Sequence, residues 1–199
     1  MVCEMCPLGL GGVSGDKPGM ATFVQGLLRG LRHRLPAAWP NLALAVSVAM
    51  LSTAHAFERL GGYAPCLLCL KQREVYWVAG ALSLATVLVL RTPVGRQARP
   101  WLALALGGVF LFGAGLAAYH AGVEWKWWPG PESCAGSVGS VSDLDLSGLL
   151  DGTLKVAPPA CEEAAWRLLG LSMAGWNVLV SLTLAGAGFL AWRLDGEKE

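Results

Sequence analysis

Four stretches of this chain stay apolar over long runs: residues 41–57, 67–90, 101–119 and 168–192. A helix rises about 1.5 Å per residue, so crossing a hydrocarbon core about 30 Å thick takes roughly 20 residues, with about 17 the lower limit. The first stretch lies near that limit and the other three meet it comfortably. Read as spans, they predict an all-α integral membrane protein: a four-transmembrane-helix bundle with a long loop, 121–167, between helices 3 and 4. The runs are rich in Ala and Gly, which let helices approach closely where lipid supplies no hydrophobic drive. Trp39, Trp101, Trp125, Trp127, Trp128, Trp166 and Trp192 fall near the predicted ends, as expected of interfacial aromatic belts.

The remaining segments read as connections. Residues 1–40 contain Gly and Pro without clear periodicity and predict a flexible N-terminal extension, within which Met5 and Met20 are alternative starts. Residues 41–192 form the membrane domain and 193–199 a short tail. Gly61-Gly62-Tyr63-Ala64-Pro65 and Thr92-Pro93-Val94-Gly95 predict turns. Within the long loop, Leu146, Leu149 and Leu150 recur at helical spacing, fitting a short amphipathic helix on the membrane surface or an irregular loop equally well. One alternative concerns the first span. Arg32-His33-Arg34, an apolar run and Ala54-His55-Ala56 also have the layout of a signal peptide, and cleavage there would leave three spans.

Composition agrees with a membrane protein. Hydrophobic residues make up 54% and charged residues 15%, against about a quarter charged in soluble domains. The net charge of +1 points neither to nucleic acid nor to an acidic substrate. The placement of charge is more informative. Lys17, Arg29, Arg32, Arg34, Arg91, Arg96, Arg99, Arg193 and Lys198 lie on one side of the predicted spans; Arg59, Lys71, Arg73, Lys126, Lys155 and Arg167 lie on the other. The short 91–99 loop has three Arg and no acid. The positive-inside rule therefore puts both termini in the cytoplasm and the 121–167 loop outside.

That topology sorts the six cysteines. Cys3 and Cys6 fall in the cytoplasmic extension, where a reducing environment leaves them as thiols. Cys66, Cys69, Cys134 and Cys161 fall on the oxidising side, where disulfides persist. Sequence leaves three pairings open; the three-residue offset makes Cys66–Cys69 the natural local redox pair and leaves Cys134–Cys161 as the second. Pro65 suits a helix start, and first-turn amides and the helix dipole favour a thiolate at Cys66-Leu-Leu-Cys69. Arg73, one turn beyond Cys69, fits two roles equally: stabilising a Cys69 thiolate or another nearby anion, or snorkelling to the surface.

These residues resemble the disulfide bond formation protein B (DsbB) family over roughly residues 40–192. The shared features are Cys66-Leu-Leu-Cys69 at the head of the second span, Arg73 one turn later, and a two-cysteine loop before the fourth span. Tyr119-His120-Ala-Gly-Val-Glu124-Trp125, Pro131-Glu-Ser-Cys134 and Gly170-Leu-Ser-Met-Ala-Gly-Trp176 also look like that family; the extension with Cys3 and Cys6 does not. The resemblance implies a bacterial inner-membrane, quinone-dependent protein-disulfide oxidoreductase, with ubiquinone or menaquinone as cofactor and a periplasmic DsbA-like thiol oxidoreductase as partner. Cys134 would take the partner's thiolate, Cys161 would attack Cys66, and Cys69 would be released beside the quinone. Arg73 and, more weakly, His120 would bind the quinone.

Energetics shows why an electron sink is needed. The DsbA–DsbB–quinone route is the established example of a periplasm kept oxidising kinetically, with DsbA near −120 mV. A thioredoxin-like pair at about −270 mV would face a deficit of about 150 mV, or about 7 kcal/mol, in oxidising it. Stabilising the reduced form recovers part, and a quinone supplies the rest. The competing function is a thiol-dependent metal-binding or metal-transporting membrane protein, since four thiols can also make a zinc site. It predicts charged or Cys/Met residues deep in the spans, which show almost none.

Overall fold

A computed structural model describes residues 20–131, 134 and 161–196. Four long helices dominate: α1 (Met20–Arg59), α2 (Leu67–Val89), α3 (Gly95–Glu124) and α4 (Met173–Gly196). Three segments, Arg34–Arg59, Gln97–Glu124 and Met173–Gly196, are long and apolar enough to cross a membrane. The chain is thus a mostly helical membrane protein. α2 has the length, but Lys71, Gln72, Arg73 and Glu74 crowd its first two turns. Large apolar side chains such as Trp77, Phe112, Leu179 and Leu182 point outward, as lipid-facing residues do.

Helix α1 starts at Met20, so half of the stretch expected to be a flexible extension is helical. The cause is tertiary packing: Pro36, Trp39 and Pro40 are buried, and α1 runs through both prolines. Trp39 is therefore not a belt residue. It is fully buried, edge-on to Phe110 at 6.1 Å between ring centroids. Trp101 and Trp127 do stand exposed at helix ends. Residues 1–19, with Cys3 and Cys6, and the loop leucines Leu146, Leu149 and Leu150 lie outside the described residues.

The core holds Trp39, Tyr76, Leu106, Phe110 and Leu184. α3 and α4 meet backbone to backbone: a Cβ added at Gly188 would lie 2.8 Å from Gly107 Cα. Small residues are what permit this contact. At the 91–99 end of the bundle, Arg99 donates to both oxygens of buried Asp195, at 2.7 and 2.8 Å, tying α3 to α4.

The fourth stretch begins differently from the expectation. Residues 167–172 form a hairpin, β1 (Arg167–Leu168) and β2 (Leu171–Ser172), paired Arg167 to Ser172 and Leu168 to Leu171. Its turn residues Leu169 and Gly170 take φ of 52° and 82°, the positive pair that a tight two-residue hairpin needs. The Trp176 indole donates back to the Leu168 carbonyl at 3.1 Å. On α4, which follows the hairpin directly, Asn177 and Ser181 are buried.

Candidate functional site

Cys66 is the N-cap of α2. Its backbone is extended (φ −74°, ψ 169°), and its sulfur accepts the Cys69 N–H at 3.2 Å. A capping side chain satisfies one of the amides a helix start leaves free. Here the cap is a thiol, so the helix N-terminus favours its charged form. The Cys66 and Cys69 sulfurs stand 2.6 Å apart. Cys66 is buried, and Cys69 half-buried.

The second cysteine pair arrives from the loop. Cys134 and Cys161 are joined in a disulfide. The Cys134 N–H donates to the Pro131 carbonyl at 2.7 Å, and the Cys161 N–H to the Cys134 carbonyl at 3.3 Å. Cys66, Cys134 and Cys161 share one apolar cluster with Leu68 and Val123. From α3, His120 points its Nε2 at the Cys66 sulfur, 3.6 Å away. The ligating atoms of Cys66, His120 and Cys161 all lie within 4.8 Å of one another. The fold therefore brings the helix pair and the loop pair within exchange distance.

Beside Cys69 opens a cavity of about 320 Å³. Met50, Leu51, Ala54 and Phe57 give it apolar walls, and Cys69, Arg73 and His120 also line it. The Arg73 guanidinium reaches across to α1, pairing with the Glu58 carboxylate and donating to the Ala54 carbonyl at 3.1 Å. Part of the cavity wall is a buried polar chain. Tyr76 Oη donates to Asn177 Oδ1 at 2.5 Å, Asn177 Nδ2 donates to Gln72 Oε1, and Gln72 Nε2 lies 2.7 Å from His120 Nδ1.

The family of disulfide bond formation protein DsbB matches residues 36–191. The chain belongs to that family. It is 33% identical over 147 residues to disulfide bond formation protein B 2 of Pseudomonas putida, covering 72% of this chain and 82% of that one. It is 32% identical over 132 residues to disulfide bond formation protein B of Dechloromonas aromatica, covering 66% and 76%. No solved structure matches it. As a DsbB-family member the chain is a disulfide bond formation membrane protein and an oxidoreductase, a role that implies a disulfide-handling partner.

Cys66, Cys69, Cys134 and Cys161 of this DsbB-family chain thus meet at one end of the bundle, with Arg73 and His120 on the wall of the adjoining cavity. Sequence reasoning did not single out Gln72, Tyr76, Asn177 or Ser181. A signal was available for Asn177 and Ser181, polar residues inside an apolar helix and hence functional candidates by default; Gln72, between Lys71 and Arg73, gave none. Their partners lie on other helices, which the pattern along one helix does not show.

Cys66 lies just outside α2, and its surroundings make a pH prediction. The hydrogen bond from Cys69 holds its thiol well below the ordinary range, against the opposing effect of burial and with help from His120. In the reduced protein, Cys66 alkylation should stay fast below pH 7, whereas a thiol with a pKa of about 8.5 slows about tenfold per pH unit. The sign for stability follows. A depressed thiol contributes stability that is fully present above its ordinary pKa and is lost as pH falls through the folded value. Peptide-level alkylation rates between pH 5 and 9 check this; an ordinary thiol profile would contradict it.

Proposed function

We propose that this chain is an inner-membrane thiol oxidase that reoxidises a periplasmic DsbA-like disulfide donor and passes the electrons to a membrane quinone. In this reading all four helices span, both termini are cytoplasmic, and Cys66–Cys69 and the 121–167 loop face the periplasm. The observation that carries it is the convergence of Cys66, Cys161 and His120 within 4.8 Å, with Cys161 already bonded to Cys134. Two redox pairs at exchange distance suit a relay. A metal site would require Cys161 as a free thiolate, but its sulfur is bonded.

The exchange balances without an external atom. The partner's thiolate attacks Cys134, forming a mixed disulfide and freeing Cys161 as a thiolate. Cys161 attacks Cys66 of the oxidised helix pair, forming Cys66–Cys161 and releasing the Cys69 thiolate. The partner's second thiolate resolves the mixed disulfide and frees Cys134. Cys134 then attacks Cys161, restoring the loop disulfide and expelling Cys66. The partner leaves oxidised, and the helix pair holds its two electrons. Each attack needs a thiolate as nucleophile and releases one as leaving group.

The cavity beside Cys69 suits a quinone ring: its volume falls in the range of small-molecule sites, most of its wall is apolar with Gln72, Tyr76 and Asn177 as polar edges, and Arg73 offers a fixed positive charge. A bound quinone supplies the electron acceptor, taking two electrons and two protons. Arg73 would hold it, with Glu58 and the Ala54 carbonyl fixing the guanidinium, and the His120 ring forms part of the wall. Arg73→Ala should therefore raise the KM for quinone about ten- to a hundredfold, the loss of one charge-assisted hydrogen bond. Disulfide exchange with the partner should persist, and steady-state assays at varied quinone would show the split. An unchanged KM would remove Arg73 from the quinone site.

Cross-link mapping tests the relay route directly. In Cys134→Ser protein, the free Cys161 thiolate should attack Cys66 of the oxidised helix pair and, with no Cys134 to expel Cys66, accumulate a Cys66–Cys161 disulfide, seen in non-reduced peptide maps. A Cys66–Cys69 bond with Cys161 left free would contradict the proposed route.

A further inference from the structure

The buried polar chain behind the cysteines has a direction, and that direction bears on the exchange proposed above. Tyr76, Asn177, Gln72 and His120 are all at most 8% exposed and, although they edge the cavity, hydrogen-bond to one another. Tyr76 donates to Asn177 Oδ1, and Ser181 Oγ donates to the same oxygen at 3.2 Å. With Oδ1 facing these hydroxyls, Asn177 turns its Nδ2 to Gln72 Oε1. Gln72 can then offer only its amide nitrogen to His120 Nδ1. An amide nitrogen only donates, so Nδ1 must accept, and the neutral ring carries its proton on Nε2. That Nε2–H faces the Cys66 sulfur at 3.6 Å and Glu124 Oε1 at 3.8 Å. The reversed chain would aim a bare nitrogen lone pair at a carboxylate and at a sulfur that must leave as an anion.

We propose that Tyr76, Asn177 and Gln72 act as positioning residues that lock His120 as an Nε2–H donor to Cys66, making His120 the group that stabilises Cys66 as a leaving thiolate. This inference rests on the relay reading and assigns His120 to sulfur rather than to the quinone. The step it serves is the last exchange: Cys134 attacks Cys161, the Cys66–Cys161 bond breaks, and its electron pair stays on Cys66. No proton transfers; the His120 N–H only shortens its contact to the sulfur as charge develops. Other charged or titratable groups around this point are Cys69 and Arg73 on α2, Glu124 on α3, Glu163 on the 161–166 segment and Glu58 on α1, which pairs with Arg73.

The test reads the tautomer and the sulfur separately from turnover. In full-length protein with ¹⁵N-labelled histidine and His33 and His55 replaced by Asn, the His120 ¹⁵N shifts should report a protonated Nε2 and an unprotonated Nδ1. Gln72→Glu places an acceptor against Nδ1 and should move the proton there, reversing the pattern. In a protein keeping Cys66 as its sole cysteine, with Ala at position 69, Gln72→Glu and His120→Phe should each slow Cys66 alkylation at pH 6.5 about tenfold. Rates above pH 10 should match the parent, which a mere packing defect would not produce. Gln72→Asn, keeping the donor, should restore part of the low-pH rate. A protonated Nδ1 in the parent overturns the proposal, and so does an unchanged alkylation profile in both variants. Failure of the relay reading would appear elsewhere, as partner oxidation that survives Cys66→Ser.

Discussion

Cys66→Ser and Cys69→Ser proteins should fold like the parent yet oxidise a DsbA-like partner at about a thousandth of its rate or less, the scale seen when a covalent nucleophile is removed. Both positions sit at the start of α2, where Ser can still cap the helix and accept the amide that Cys66 accepts now. The fold therefore has no reason to fail, and the loss isolates the chemistry. Without Cys66, Cys161 has no disulfide to attack. Without Cys69, the helix pair cannot be oxidised. The two variants should differ in the thiol left on α2: Cys66→Ser leaves the loop pair isolated, while Cys69→Ser leaves Cys66 as a lone thiolate beside the Cys134–Cys161 disulfide. Stopped-flow oxidation of the reduced partner, with helical content checked by circular dichroism, gives the answer. Partner oxidation that persists in either variant would remove the helix pair from the relay.

The second large effect concerns the bundle itself. Gly188→Leu should destabilise the protein by about 1–3 kcal/mol or more, the usual cost of overpacking a dense core. The first added carbon already meets Gly107 Cα at 2.8 Å, Gly107 N at 3.1 Å and the Trp39 ring at 3.1 Å. Two of these obstacles are backbone, so α3 and α4 must part. His120 on α3 and Asn177 on α4 would then separate, and activity should fall together with Tm. Gly108→Leu is the control, because nothing lies within 4 Å of its added Cβ. Thermal unfolding in detergent should show a lowered Tm for Gly188→Leu and a near-parental one for Gly108→Leu. Equal Tm values would mean that the Gly107–Gly188 contact does not hold the helices.

Much of this was legible along the chain. Apolar runs of 17 residues or more located the helices, because membrane crossing sets a length that sequence displays directly. Cys66-Leu-Leu-Cys69 announced a redox pair, and Pro65 marked the helix start. Other features needed the fold. Trp39 sits at the edge of an apolar run whether it faces headgroups or Phe110, so its position alone could not separate belt from core. Leu168, Leu169 and Leu171 continue the apolar run into α4, but the positive φ at Leu169 and Gly170 turns the chain into a hairpin instead. Asn177 was visible as a polar residue in an apolar run, whereas Gln72 stood among the charged neighbours Lys71, Arg73 and Glu74. Their partnership joins α2 to α4 across 105 positions, and no local pattern encodes that. The same applies to His120, whose nearness to Cys66 depends on how α3 packs against α2.

The central claim is that thiol electrons leave through a quinone. It is tested most directly by anaerobic turnover in detergent, with reduced DsbA-like partner and a soluble quinone, following quinone absorbance for parent and Cys69→Ser protein. The account predicts one quinone reduced per partner disulfide formed in the parent, and none in the variant. A well-folded parent that reduces no quinone, or a Cys69→Ser protein that reduces it at the parental rate, would contradict it.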